Sequence, residues 1–365
     1  MYRRFKAFVF VFLFASSMIL CNHNVLAYEP NSTEMNLYAL YLGDGAKGES
    51  VLIESKGHAL LIDLGDPKQV PSIIQQLRRL KIHKVDILFS HLHKDHMGGT
   101  AELPLGGLFQ LLNCNIEIGC IYAPSPGLAP QSLIYPQRYS QLAAFAKNHC
   151  RLVFLDLGSQ ITCGDVCGKV IGPLKTGQLN RMDYATNSDY DNNCCLATVF
   201  TCGKTRFFTA GDCYEDEANE LVEAYGSRLK CDIMKLSHHG TGTGNTKELL
   251  SAIAPRYSFA QNTALTGKNS TIGEYHVYPA TSLALQYGMC YLTGNEKRTL
   301  IFHVVNDQIS LYQGNKISYN TRMIGWQSLY GGDGKIIKKI TYYITAEGIP
   351  LTGIEALEAL QKSGY

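Results

Sequence analysis

Apolar residues fall in short blocks along most of the chain, and glycine-rich turns separate the blocks. From Asn36 to Gly65, LYALYL leads through GDGAKGES into VLIES, and a turn at Lys56-Gly57 leads on to HALLIDLG, a succession of strands joined by residues that tolerate positive φ. Val70 to Leu80 changes period: Val70, Ile73, Ile74, Leu77 and Leu80 share one face of a helix, and basic residues occupy the remainder. KVDILFS is again a short apolar block, read as a buried strand. The same order returns later, with CCLATVF and RFFTAG as strands, Tyr214 to Tyr225 as a glutamate-rich helix and CDIMKLS as another buried strand. Two β-rich halves flanked by helices predict an α/β (α+β) fold, a sandwich of two sheets with helices outside. The stretch from about Gly99 to Asp191 is less periodic, and its Pro, Gly and Tyr clusters predict loops and helices covering one side of the site.

The two ends of the chain differ in texture from the middle. Arg3, Arg4 and Lys6 precede an apolar run from Ala7 to about Leu20, and Val25-Leu26-Ala27 offers small residues for cleavage, so residues 1–27 read as a secretory signal peptide. Ser16 and Ser17 interrupt a run already shorter than the roughly 20 residues that a bilayer requires, so no stable membrane span is expected after cleavage. The expected location is extracellular or at the cell surface. Beyond about Gln313, aromatic residues interleave with glycine turns, and residues 313–365 read as a small β-rich and helical extension, with binding to cell-wall polymers or glycans as one role and a terminal part of the main domain as the other.

Composition narrows the partners. The full chain carries 33 basic and 31 acidic residues, and loss of the leader leaves about one net negative charge, so no broad cationic surface for nucleic acid is announced. Twelve cysteines, one of them Cys21 in the leader, leave an odd number in an exported protein. Cys163 and Cys167 are spaced C-x3-C and Cys194-Cys195 are adjacent, so no paired C-x-x-C metal pattern exists; most read as small buried hydrophobes, with one or two disulfides expected.

The chemistry concentrates in three places. SHLHKDHMGG follows the strand KVDILF, so three imidazoles and a carboxylate project from a loop at the end of a buried element. First-row divalent ions accept His nitrogen and carboxylate oxygen at about 2.0 to 2.2 Å, and H-x-H-x-D-H at a strand end places several such donors together. Asp212 ends the strand RFFTAG, and His238-His239 follow the strand CDIMKLS. Singly, a strand-terminal Asp is a turn former and a His pair means little; together with the first motif they form a candidate metal centre.

His91, His93, Asp95 and His96 resemble the signature of the metallo-β-lactamase superfamily, and Asp212 and the His pair follow in that family's order. The more specific resemblance is to the exported branch that includes the hydrolase domain of ComEC-type DNA-uptake proteins and, more distantly, cell-wall phosphorylcholine esterases. LGDGAKGESVLIESKGHALLIDLGD resembles that branch's opening strands, FFTAGD and KLSHHG its closing motifs, over roughly Asn36 to Val304. The resemblance implies an αββα sandwich spanning residues 34–312 and one or two divalent ions, zinc or alternatively manganese, held by His91, His93, Asp95, His96, Asp212 and His239. It implies further that Asp212 bridges two ions. His238 as the ligand remains the alternative to His239; otherwise it contacts substrate or orients its neighbour.

The resemblance also assigns a middle histidine ligand that has no counterpart here. His149, the one histidine between the first motif and Asp212, lies in the helix-like FAKNHC, and NNCCLATVF resembles the branch's N-x-S-L pattern with Cys195 in place of Ser. A first site built from His91, His93 and Asp212 would therefore be weak. Asp95, with His238 and His276, is the expected catalytic set: Asp95 to orient a metal-activated water, and His276, in GEYHVYP, to meet a phosphate oxygen. Asp63 in LIDLG is a carboxylate placed to hold a ligand imidazole.

The expected function is a secreted metal-dependent phosphodiesterase acting on a small-molecule or polymer phosphodiester, a cell-wall polymer or, though not favoured by the charge, nucleic acid. A metal-dependent acyl hydrolase of the lactamase or lactonase kind is the first alternative and a non-catalytic binding protein the second.

Overall fold

Alternation along the first strands assigns each residue to one of two layers. In the computed structural model, which describes residues 32–43, 48–174, 187–261, 278–296, 298–313, 322–330, 336–344 and 350–351, β1 (Glu34–Ala39), β2 (Val51–Ser55) and β3 (His58–Ile62) form an antiparallel meander. Met35, Leu37, Val51, Ile53, Leu60 and Ile62 face one core, while Tyr38, Leu52 and Leu61 face another. α1 (Val70–Arg79) covers the second of these with Val70, Ile73, Ile74 and Leu77, the stripe expected from the spacing. A parallel strand follows, β4 (Lys84–Leu88), and then the short helix α2 (Lys94–Met97), closed by Gly98 at φ 66°.

The stretch from Gly99 to Asp191 contains more sheet than its texture predicts. Besides α3 (Gly106–Asn113) and α4 (Tyr135–His149), it forms β5 (Glu117–Pro124), β6 (Arg151–Leu155), β7 (Gln160–Cys163) and β8 (Val166–Gly172), before α5 (Asn187–Asn192). β5 lies between two parallel partners and is covered on both faces, so its buried residues run together instead of alternating and give no strand period.

The second half supplies β9 (Ala197–Cys202), β10 (Thr205–Thr209), α6 (Glu215–Tyr225), β11 (Ile233–Lys235), α7 (Lys247–Ile253), β12 (Tyr257–Ala260), α8 (Tyr278–Ala284), β13 (Met289–Leu292), β14 (Leu300–Val305) and β15 (Gln308–Gln313). Eight strands form one sheet in the order β15-β14-β1-β2-β3-β4-β5-β6, and seven form the other, β13-β12-β11-β10-β9-β8-β7. Phe200, Phe207, Phe259 and Phe302 stack in the layer between the sheets, at centroid separations of 5.7 to 6.1 Å. Phe208, Met234 and Val199 point the other way, where α6, α7 and α8 cover them with Leu221, Leu249, Leu250 and Ala280. The result is the expected mixed α/β sandwich, with two sheets enclosed by helices.

β16 (Arg322–Tyr330) and β17 (Ile336–Ile344) pair as a hairpin, and β18 (Pro350–Leu351) adds a short third strand. No helix among the described residues is long and apolar enough to cross a membrane. The leader, residues 1–27, and His276 lie outside the described residues. Cys114, Cys120, Cys150, Cys163, Cys167, Cys194, Cys195, Cys202, Cys213, Cys231 and Cys290 are all free thiols, so the expected one or two disulfides do not form among them; most are packed singly in the cores.

Candidate metal centre

Parallel pairing of β3 with β4 and of β10 with β11 brings the carboxyl ends of four strands to one edge of the sandwich. Such strand ends leave main-chain and side-chain groups free of the ladder, and they are where α/β folds place ligands. Asp63 follows β3; Ser90, His91, His93, Asp95 and His96 follow β4; Asp212 follows β10; His238 and His239 follow β11.

Asp63 organises the first loop. Its Oδ1 accepts from the Ser90 backbone N at 2.8 Å, and its Oδ2 accepts from Ser90 Oγ at 2.6 Å and lies 2.8 Å from His96 Nδ1. A carboxylate on Nδ1 leaves Nε2 of His96 to face the site. That Nε2 lies 3.1 Å from Asp212 Oδ2 without hydrogen-bond alignment. His239 Nε2 reaches the same oxygen at 3.3 Å and His238 Nε2 at 3.8 Å. His91 packs on His96 at 4.1 Å between ring centroids, its Nδ1 3.1 Å from Ser90 Oγ.

Donor atoms of His91, His96 and Asp212 lie within 4.8 Å of one another, and so do those of Asp95, His96 and His239 and those of Asp212, His238 and His239. His91 Nε2 and Asp212 Oδ1 are buried with no hydrogen-bond partner. Buried polar atoms are seldom left so, because an unmet donor or acceptor costs about 1–3 kcal/mol. Imidazole nitrogens and carboxylate oxygens clustered in this way fit a first-row divalent cation.

The electrostatics follow from crowding opposite charges in a buried place. Burial alone would raise the Asp212 carboxyl, but His239, His96 and His238 hold it well below the usual range. Burial would lower His96, yet Asp212 and Asp63 raise it well above the ordinary imidazole value. His239 is likewise pushed up, to about 10, by Asp212 and Glu49 against the effect of burial. For His91 the balance is reversed: burial, His96 and His93 outweigh Asp212 and push it well below its usual value. It is thus a neutral imidazole, the form that donates to a cation.

Two histidines of the set are placed differently from the rest. His93 belongs to none of the convergent groups among the described residues: its Nε2 lies 3.2 Å from Asp191 Oδ2, and its ring sits edge-on to His91 at 4.5 Å. His238 packs against the Tyr214 ring at 5.0 Å, with its Nδ1 2.7 Å from Thr243 Oγ1. His238 and His239 take φ of 45° and 55°, a left-handed conformation costly for a residue with a Cβ. His149 ends α4 against Phe109 and Phe145, in keeping with a structural role. Cys195 is fully buried, and burial, with Glu217 and Asp212 nearby, raises its thiol well above the usual value.

Three site residues carry no motif that the sequence announces. Glu49 Oε1 accepts from the His239 backbone N at 2.9 Å and lies 3.2 Å from His239 Nδ1. Lys235 Nζ pairs with Glu49 Oε2 and donates to the Gly211 carbonyl at 3.0 Å. Asp191 holds His93. The available signal was a lysine inside the otherwise apolar block CDIMKLS, since a lone charge in a buried strand demands a partner.

The chain is similar to known proteins over part of its length. A family model described as the metallo-beta-lactamase superfamily matches residues 43–105, which include the first histidine motif. The competence protein ComA of Neisseria gonorrhoeae is 24% identical over 242 residues, covering 65% of this chain and 29% of that protein. The match therefore spans under a third of the relative's length. Among solved structures, the metallo-beta-lactamase fold protein YhfI from Bacillus subtilis has a TM-score of 0.47 at 12% identity, covering 74% of this chain and 100% of that one. CmlA, a diiron beta-hydroxylase from Streptomyces venezuelae, has a TM-score of 0.45 at 14% identity, over 76% of this chain and 55% of that one.

Proposed function

We propose that this chain, a metallo-β-lactamase superfamily protein with a ComEC-like motif set, is an exported phosphodiesterase that hydrolyses its substrate with a metal-activated water. The fold is of the hydrolase type, and the observation that carries the reading is the overlap of two donor groups, His91, His96 and Asp212 and then Asp212, His238 and His239, with His91 Nε2 and Asp212 Oδ1 left unpaired. One or two divalent ions, zinc or manganese, fit these donors. A divalent ion bound there lowers the pKa of its water to about 7 and offsets the charge that develops on a phosphoryl oxygen.

The protein's own groups perform the remaining tasks. Asp63 fixes the His96 ring so that Nε2 faces the site. Asp212 places one carboxylate within reach of three imidazoles, which is the geometry for holding charge between two halves of the fold. Asp95 is half-buried and groups with His96 and His239, so its carboxylate is placed to orient water and take up its proton. His238, held by Thr243 and packed against the tilted ring of Tyr214, presents a donor to a substrate oxygen. The candidate set lacks the middle histidine that lactam- and lactone-hydrolysing relatives are expected to carry, which supports a phosphoryl over an acyl substrate. Similarity to a competence protein and the leader-like residues 1–27 support action outside the cytoplasmic membrane, on a cell-wall or other phosphodiester.

The test is hydrolysis of bis-p-nitrophenyl phosphate by protein loaded with manganese or zinc. Asp212→Ala is expected to lower turnover more than about 100-fold, because a shared ligand is removed. Equal rates for Asp212→Ala and the wild type would refute the reading, and turnover of a chromogenic lactam or lactone without phosphodiester turnover would move it to acyl transfer.

A further inference from the structure

Glu49 and Lys235 stand out because a charged pair is buried where the fold could have used apolar residues. Glu49 is 1% exposed and Lys235 2%. Taking two charges out of water costs several kcal/mol each, and their mutual attraction seldom does more than offset that cost. Such a pair is therefore weak evidence of stability, and its retention needs another account.

The contacts supply one. Glu49 sits just before β2 and reaches across the sandwich edge to the loop after β11, where one oxygen meets both the backbone N and the Nδ1 of His239. Its other oxygen pairs with Lys235, whose Nζ also donates to the carbonyl of Gly211, the residue before Asp212. Glu49 thus binds the His239 loop, and Lys235 connects that carboxylate to the Asp212 loop. At His238, one residue earlier, the Thr243 and Thr241 hydroxyls lie 2.7 and 3.1 Å from Nδ1. His239, in contrast, has Glu49 Oε1 3.2 Å from its Nδ1 while its Nε2 lies 3.3 Å from Asp212.

We infer that Glu49, backed by Lys235, is a positioning residue that fixes His239, and not His238, as the metal-binding imidazole of the pair. This rests on the metal-centre reading above. With Glu49 Oε1 3.2 Å from Nδ1, that side of the ring is given to the carboxylate and Nε2 is the nitrogen left to face Asp212; the contact of Glu49 with the His239 backbone N holds the left-handed turn at His238-His239 that aims the ring. Partners of this kind to a ligating histidine are worth about 10–100-fold in metal affinity.

The experiment is equilibrium titration of the full chain with manganese or zinc alone, with thermal melting of each metal-free variant alongside. Glu49→Gln is expected to weaken uptake about 10–100-fold, and also to lower the melting midpoint, since Lys235 is left buried and unpaired. Removing both charges in Glu49→Gln/Lys235→Met is expected to recover the midpoint but not the affinity, a split that a merely structural pair would not produce. Glu49→Asp keeps the charge opposite Lys235 while shortening the reach to Nδ1, and it decides the matter if the double variant does not fold: weakened uptake is expected. His239→Ala is expected to lose uptake at the tighter site and His238→Ala to keep it. Wild-type affinity in the folded double variant, or in Glu49→Asp, would overturn the inference, as would a His238→Ala variant that loses uptake while His239→Ala keeps it. A wild type that takes up no ion would instead refute the metal-centre reading itself.

Discussion

At the scale of single residues, the site is built from tolerances of a few tenths of an ångström. Gly211 has φ 52°, and a Cβ added there would lie 2.5 Å from Ser90 Oγ and 2.7 Å from Ser90 Cβ. Ser90 in turn donates twice to Asp63, which holds His96. Gly211→Ala is expected to cost about 1–3 kcal/mol of stability from backbone strain and to weaken metal uptake by displacing Ser90; a melt and a metal titration on one preparation check both. Proton linkage gives a second prediction at this scale. His239 is raised from 6.5 to about 10 in the metal-free protein. A raised value stabilises the fold fully below the unfolded pKa and loses that contribution as pH rises through the folded one. The melting midpoint of chelator-treated protein should therefore fall between about pH 7 and 10, and His239→Gln should flatten that fall. The histidines and Asp212 were legible because residue type and spacing name their chemistry. Glu49, Lys235 and Asp191 were not, because their partners are distant in sequence: Glu49 meets His239 at a separation of 190 residues, and Asp191 meets His93 at 98.

At the scale of elements, period decided what could be read. α1 keeps one apolar face, and the spacing locates it to within a residue. β5 and the β7–β8 hairpin escaped because strands covered on both faces, or only four to seven residues long, carry no clear alternation. The cysteines show how such strands use small apolar residues. Cys163 on β7, Cys202 on β9 and Cys290 on β13 are buried, and burial pushes their thiols up to about 12, 11 and 12. The thiolate is the reactive form, so these groups should resist alkylation while the sheets are closed. Iodoacetamide at pH 8 is expected to modify the exposed Cys167 first and to leave Cys163, Cys202 and Cys290 unlabelled until denaturant is added. Mass spectrometry of the labelled peptides checks this, and native labelling of Cys290 at the rate of Cys167 would show that β13 opens.

At the scale of the whole molecule, the donors come from the edges of two different sheets, joined beside the site by the hydrogen bond that Leu196 N, before β9, donates to the Ser90 carbonyl after β4. His91, in the loop after β4, and Asp95 and His96, in the short helix α2 that follows it, belong to the eight-stranded sheet, while Asp212 and His239 follow β10 and β11 in the seven-stranded one. The sequence order of the motifs shows that they are far apart along the chain; only the sandwich shows that they meet across its edge. An ion shared by His96 and Asp212 would therefore fasten one sheet to the other at this edge. Binding to the folded chain alone stabilises it by RT ln(1 + [L]/Kd), about 2.7 kcal/mol at a free-ion concentration 100 times Kd. Manganese or zinc at that excess should raise the melting midpoint, and chelator should return it. Asp212→Ala, which severs the link from one side, should remove most of the shift and also lower the metal-free midpoint, since His96 and His239 lose the carboxylate that holds them charged. If the ion stabilised wild type and Asp212→Ala equally, it would be binding elsewhere and would not fasten the two sheets.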